Sequence, residues 1–347
     1  MEKGFSSEKY ILAQRKKVLE RINRFDRLYL EFGGKLCYDG HASRVLPGYR
    51  KTLKIEFLRS LKNLELIYCI NAKDISSEKR LGDHNFTYKQ QTLYDFKCFK
   101  KYKISSENVV ISRYEREKEA RDFSKILENI GKKVYFHKET KNYLQSAKNA
   151  IKGLSNQEYV PVKKRIVVVT GPAGGSGKMA VALAQIFHEF QKGLKPGFAK
   201  FETFPIWNLS LGNPLNLAYE AATADLQDKI MIDPYHLKAY GIKAVNYNRD
   251  IKNFLILREI SRKITNEKNP FGYRSPTDMG INMLKEGIIN GEICQQAAIK
   301  EIRRRHKIYS KEFSKKRESK KTLERIKQII AKLNNSEDLK DRKFYKI

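Results

Sequence analysis

RIVVVTGPAGGSGKMAVALAQIF, residues 165–187, changes its period midway. RIVVVT is a short, continuously apolar, β-branched run, the pattern of a strand buried on both faces of a parallel sheet. From Lys178 onward the apolar residues fall at helical spacing, and between the two lies a glycine-rich turn. A strand, small residues and then Lys at the opening of an amphipathic helix is the arrangement that binds phosphate. Consecutive backbone N–H groups converge on the oxygens, the helix N-terminus adds a favourable field, and Lys178 adds a point charge. Gly174, Gly175, Ser176, Gly177 and Lys178 are therefore the candidate cofactor-binding residues.

The loop departs from the Walker A pattern GxxxxGK[ST] at two positions. Pro172 stands at the first Gly, and Met179 at the Ser or Thr that would ligate Mg²⁺. A metal would then be held by water or by another carboxylate, with Asp225, Asp233 or Glu202 as candidates. The same loop fits GxGxxA (Gly175, Gly177, Ala180), with Glu202 ending the next strand as a ribose partner. Three readings stay open: a nucleotide polyphosphate site (ATP or GTP, with Mg²⁺), a dinucleotide site (NAD), or a tight turn.

Outward from this loop, helical and strand-like segments alternate. Before it come a helix from Tyr10 to Arg24, the strand LYLEF (28–32), a helix over 52–63 and the strand ELIYCINA (65–72). A long loop (73–86), a helix over 88–102, NVVIS (108–112), a helix over 116–130 and KKVYFH (132–137) follow. After the loop come FAKFE (198–202) and helices over 214–226 and 250–266. Such alternation predicts βαβ units and a mainly parallel α/β fold. The expected organisation is two consecutive Rossmann-like or P-loop-like units: residues 1–140, a linker over 141–163, and residues 164–300 with the phosphate loop. A basic helical segment over 301–347 ends the chain. Right-handed crossovers would gather the loops that follow the strands along one ligand-binding edge.

Composition bounds the rest. The 347 residues carry 70 Lys plus Arg against 39 Asp plus Glu, a net charge of +31. At 41% hydrophobic and 11% aromatic the chain is too apolar for wholesale disorder. No apolar run approaches the roughly 18 residues that span a bilayer, and no secretory h-region is present. Cys37, Cys69, Cys98 and Cys294 are scattered without CxxC spacing, which argues against a disulfide framework or zinc knuckle and fits a reducing cytoplasm. Residues 301–347 hold 17 basic and 7 acidic side chains, so a nucleic-acid partner is conceivable there. Stacking groups are scarce over 303–332, however: Tyr309 and Phe313. A homo-oligomer is compatible with the sequence.

Downstream, short polar segments interrupt the apolar ones: KFETFPIWNL (200–209), NLAYEAATADL (216–226), MIDPYH (231–236), VNYNRD (245–250) and SPTDMG (275–280). With HASRVLPG (41–48) and GSGKM (175–179), these runs resemble a bacterial family known as domain of unknown function 1846. The resemblance covers roughly residues 1–305. Residues 141–163 do not follow the family pattern, and members usually continue into a further C-terminal domain, so a C-terminally shortened member is expected. The resemblance implies a P-loop-like α/β protein. Some members carry a label of ATP-dependent zinc protease, which these residues do not support: His188-Glu189 begins an HExxH-like string, but Lys192 replaces the second His.

The candidates for a ligand-facing edge are then named by chemistry. Lys178, Asp225, His236 and Arg249 are the candidate catalytic residues. Arg249 suits a bidentate clamp on carboxylate or phosphate with Asp250 orienting it, and Asn248 completes that polar group. His41 and Arg44 could reach across from the first unit, and Asp278 lies in a turn able to close over a ligand. Asp225 and Asp233 are the metal candidates, although Asp233-Pro234 reads more strongly as a helix cap. The expectation is a nucleotide or phosphorylated-ligand binding protein, transferring or hydrolysing a phosphoryl group with a small anionic substrate; a non-catalytic nucleotide sensor and a dinucleotide-binding protein are the alternatives.

Overall fold

The computed structural model describes residues 2–33, 35–77, 80–81, 85–140 and 145–334. Its strands are β1 (Arg27–Phe32), β2 (Leu64–Asn71), β3 (Arg80–Leu81), β4 (Phe86–Thr87), β5 (Asn108–Ser112), β6 (Lys133–Phe136), β7 (Ile166–Thr170), β8 (Pro196–Phe201), β9 (Ile230–Ile232), β10 (Val245–Tyr247) and β11 (Gly280–Ile281). Seven of them form one sheet in the order β11-β8-β1-β7-β2-β5-β6, and every pairing in it is parallel. β3 with β4, and β9 with β10, make small antiparallel pairs.

The α/β class and the parallel sheet follow from the alternation of strands and helices. The two stretches expected as consecutive units contribute to this one sheet: β7, from the second, sits between β1 and β2, from the first. The physical reason lies in its composition. IVVVT is buried along its whole length and has no polar face to turn to water, so it takes a central place covered by helices on both sides. From β1 the chain runs outward through β2, β5 and β6, returns as β7, and crosses to the other flank as β8 and β11. The direction reverses between β1 and β7, and an open parallel sheet leaves its ligand crevice at the carboxyl ends of such a pair.

Residues 141–163 are largely built into the fold. Helix Ala147–Ser155 packs against helices Lys178–Gln191 and Asn248–Thr265. Gln185 then grips the following segment, accepting from the Val160 amide (2.9 Å) and donating to its carbonyl (2.7 Å). Residues 141–144 lie outside the described part.

The basic C-terminal segment is helical, as expected, and docked. Helix Gly291–Ser314 lies on helix Pro214–Ala222, and helix Lys320–Asn334 packs against both, burying Ile326, Ile329 and Leu333. Buried Arg325 donates to Glu220 Oε2 at 2.6 Å, while the Ile230 amide donates to Glu220 Oε1 at 2.6 Å. Residues 335–347 are outside the described part. Among the described residues no helix is long and apolar enough to cross a membrane.

The cysteines correct an expectation. Cys37, in the loop after β1, and Cys98, on helix Tyr88–Lys101, form a disulfide although 61 residues separate them. Spacing could not announce it, because the fold and not a local motif brings the two together.

Candidate functional site

At the carboxyl end of β7 the chain makes the glycine loop and enters helix Lys178–Gln191. Gly177 caps that helix at φ +81°, and a Cβ there would stand 2.6 Å from Ser112 Oγ at the end of β5, so glycine is required. Neighbouring strand ends brace the loop: Ser112 Oγ donates to the Ser176 carbonyl (2.9 Å) and Asn71 Nδ2 to the Gly175 carbonyl (3.4 Å). Gly174 and Gly175 remain exposed at its tip, with no atom within 4 Å of where a Cβ would be. Ser176 is buried and its hydroxyl is spent on the Ala173 carbonyl at 2.6 Å. Lys178 folds back over the loop and donates to the same carbonyl at 2.9 Å; burial lowers its pKa.

Met179 is turned away from this loop. Its side chain lines an apolar cavity of about 20 Å³ with Leu183, Phe198, Phe254 and Leu257, beneath helix Asn248–Thr265. That space admits little more than one water molecule. The residue standing where a hydroxyl was missed therefore belongs to the core between helix and sheet.

Beside Lys178 the adjoining strand ends carry a half-buried charge network. Glu31 on β1 is in register with Lys200 on β8, and both feel Lys178. Lys200 Nζ donates to Asp250 Oδ2 at 2.7 Å. Burial works against the Lys200 charge, but Asp250, Glu31 and Glu202 outweigh it and raise its pKa. Glu202, half-buried just past β8, rests against Gly280, where a Cβ would come within 2.8 Å of Oε2. Burial pushes its carboxyl up to about 8; Lys200 pulls the other way, and Asp250 and Glu31 add to the rise. The rise is toward the protonated form that a general acid needs.

Next to this network Arg249 clamps the buried Asp228 through Nη2 (2.8 Å) and Nε (2.7 Å). Tyr219 and Tyr247 stand behind it with ring centroids 5.3 Å apart, and the Tyr247 hydroxyl donates to the Phe204 carbonyl. Phe204 stacks on Tyr219, and His41 meets both rings edge-on. His41 and Arg44, on the short helix Gly40–Val45, do reach across from the N-terminal part of the chain and meet Glu301 of helix Gly291–Ser314.

The structure thus gathers Lys178, Glu202, Arg249 and Asp250 at one edge, with His41 and Arg44 continuing it. The remaining candidates lie elsewhere. Asn248 closes the β9–β10 hairpin, its Oδ1 accepting from the Lys229 amide at 3.1 Å. Asp225 is exposed on a single turn, touched by the Tyr309 hydroxyl at 3.4 Å. Asp233 is the cap of helix Pro234–Tyr240, one oxygen accepting from Tyr235 and His236 amides (both 3.0 Å) and the other from Thr277 N (3.2 Å) and Oγ1 (2.7 Å). With every lone-pair direction engaged it is a brace and does not fit a metal ligand's role. Among the described residues no group of three or more His, Cys, Asp or Glu side chains is placed to hold a metal ion. His236, whose pKa burial lowers, contacts Ser275 Oγ at 2.9 Å, and Asp278 completes a capping box with Ser275 while accepting from Tyr240. These form a second polar knot around residues 275–278, apart from Lys178. The HExxH-like string is also structural: His188 contacts the Gln157 carbonyl at 2.8 Å, and Glu189 pairs with Arg27.

Sequence reasoning missed Glu31, Lys200, Asp228 and Glu301. The first two had a usable signal, since a lone charge inside an apolar strand (LYLEF, FAKFE) is costly unless a partner awaits it.

Residues 3–334 match the family described as "Domain of unknown function DUF1846, N-terminal". A UPF0371 protein of Clostridium tetani (strain Massachusetts / E88) is 46% identical over 346 residues, 99% of this chain and 68% of that protein. One from Clostridium botulinum (strain Kyoto / Type A2) is 44% identical over the same shares, and one from Clostridioides difficile (strain 630) is 43% identical over 96% of this chain and 67% of its own length. With matches running through both the glycine loop and the charge network, the chain belongs to the DUF1846 family.

Proposed function

We propose that the carboxyl edge of β7, β1 and β8 binds a phosphorylated ligand, with a nucleoside triphosphate as the first candidate, and transfers or hydrolyses its terminal phosphoryl group. The observation that carries this reading is the open Gly174–Gly175 tip with buried Lys178 folded over it at the point where the sheet reverses direction. Lys178 now spends its charge on one backbone carbonyl, a weak partner that phosphate oxygens would replace to advantage. Glu202 would deliver or accept the proton of the attacking or leaving oxygen, with the Lys200 charge nearby favouring its ionised form after transfer.

Strand order bears on the dinucleotide alternative. In the dinucleotide fold the acid that meets the ribose ends the strand beside the loop strand. Here β1 lies between β7 and β8, so Glu202 stands one strand too far, and Glu31 occupies the adjacent position. A non-catalytic nucleotide sensor is the second reading, favoured by Met179, which leaves the loop without the hydroxyl that phosphoryl-transfer enzymes place there. If Mg²⁺ accompanies the nucleotide, Glu31, whose field reaches Lys178, is the acid beside the loop; Asp225 and Asp233 lie elsewhere.

A cytoplasmic setting fits these ligands, and the Cys37–Cys98 disulfide is the feature at odds with it. The test is thermal unfolding with ATP, GTP, CTP, NAD and inorganic phosphate, each with and without Mg²⁺. A ligand at about 100 times its Kd adds about 2.7 kcal/mol. A shift with a triphosphate that vanishes in Lys178→Ala supports the proposal; none with any ligand overturns it. Turnover of that nucleotide then separates enzyme from sensor.

A further inference from the structure

A second cluster, formed by helices Gly40–Val45 and Gly291–Ser314, has more donors than acceptors. Glu301 is buried, and its two oxygens accept four hydrogen bonds. Oε2 takes Arg44 Nε (2.9 Å) and Arg304 Nε (2.6 Å); Oε1 takes Arg304 Nη2 (2.9 Å) and Arg305 Nε (3.0 Å). That saturates the carboxylate. Burial alone would raise its pKa, but Arg304, His41, Arg44 and Arg305 together outweigh it and hold the carboxyl far below the usual carboxylate range.

Polar atoms are left over. Arg44 Nη2 is buried with no hydrogen-bond partner, and so is His41 Nε2, while Nδ1 makes only a long 3.5 Å ion-pair contact with Glu301 Oε1. Arg305 presents only its Nε to Glu301. Asp39, whose field also reaches His41, is already paired to Lys54 at 2.7 Å. With its carboxylate saturated, the cluster leaves Arg44 Nη2 and the His41 ring without a full partner. An exposed brace would leave such groups to water, whereas Arg44 Nη2 and the His41 ring nitrogens are enclosed. The stacked Phe204 and Tyr219 rings, edge-on to His41, form the apolar wall on the side facing Arg249 and the glycine loop.

We propose that His41, Arg44 and Arg305 form an oxyanion site for a carboxylate or phosphate group of a small substrate, distinct from the glycine loop and separated from it by the Phe204–Tyr219–Tyr247 wall. The arginines present N–H pairs to the oxyanion, His41 donates one hydrogen bond, and Glu301 fixes the guanidinium planes without competing for the ligand. The site's existence does not depend on the loop binding phosphate.

The chain has only six histidines, so the His41 ring can be followed by NMR and assigned through His41→Gln. The probes are inorganic phosphate and malonate, titrated into the full chain at constant ionic strength. Saturable movement of the His41 resonances is expected, with a raised His41 pKa as the anion settles beside the ring. The stronger of the two anions identifies the phosphate or the carboxylate as the natural group. Arg305→Gln should weaken the response about tenfold, and Arg305→Lys, which keeps the charge but loses the fork, should retain part of it. Lys178→Ala should leave it intact, so failure of the loop reading and failure of this one are told apart. No response to either anion, or a response unchanged in both Arg305 variants, overturns the proposal.

Discussion

Replacing Glu202 by Gln keeps the shape of the side chain and removes its proton equilibrium, which makes it a direct test of the charge network. In the folded protein the carboxyl titrates at about 8 instead of 4.5, chiefly because burial disfavours its charge. Between those values the native state binds a proton that the unfolded chain has released. Stability attributable to Glu202 is therefore present at low pH and is lost as pH rises through that window. At about 1.36 kcal/mol per unit the shift sets a ceiling near 5 kcal/mol. Partial exposure to solvent screens this to about 1–2 kcal/mol. Denaturant unfolding of the wild type and Glu202→Gln at pH 5, 6.5, 8 and 8.5 measures it. The two should agree to within about 0.5 kcal/mol at pH 5, and the variant should be more stable by about 1–2 kcal/mol at pH 8.5. Parallel profiles would refute the assignment of a held proton. An opposite slope would mean that Lys200 and Lys178 dominate and keep Glu202 ionised.

Arg325→Ala should destabilise the fold by about 3–5 kcal/mol, because it strands buried Glu220 without its partner; a loss under about 1 kcal/mol in denaturant unfolding would show that the pair does not fasten the C-terminal helix. Thiol titration of the unreduced, unfolded chain should find two free cysteines, Cys69 and Cys294, and four after reduction. Opening the 61-residue loop should cost about 4 kcal/mol on chain-entropy grounds, seen as a lower unfolding midpoint in reductant; four free thiols at the outset would exclude the link. Met179→Ser should not create a phosphate-facing hydroxyl, because the side chain points into the core; an expected loss of about 1–3 kcal/mol without a change in nucleotide-induced stabilisation checks this, and tighter nucleotide binding would contradict it.

Features confined to one element could be read along the chain. The apolar run of β7, the helical period after Lys178 and the small residues between them specify strand, loop and helix, because each pattern expresses the geometry of a few consecutive residues. The cap at Asp233 was legible for the same reason: an N-cap and its amides lie within three residues. Its second oxygen, held by Thr277 from 44 residues away, was not.

What lay beyond local reading depended on which strands became neighbours. Glu31 and Lys200 are each a charge in an apolar strand, yet only the placement of β8 beside β1 shows that they compensate one another. Arg44 and Glu301, 257 residues apart, meet because helix Gly291–Ser314 docks across the carboxyl edge. Asp225 and His236 carried suitable chemistry in suitable company along the chain, but their elements turn them toward Tyr309 and Ser275. Side-chain type and local period settle within one element what that element is. The site is assembled from the ends of several, and their adjacency follows from how the buried strands divide the centre of the sheet among themselves.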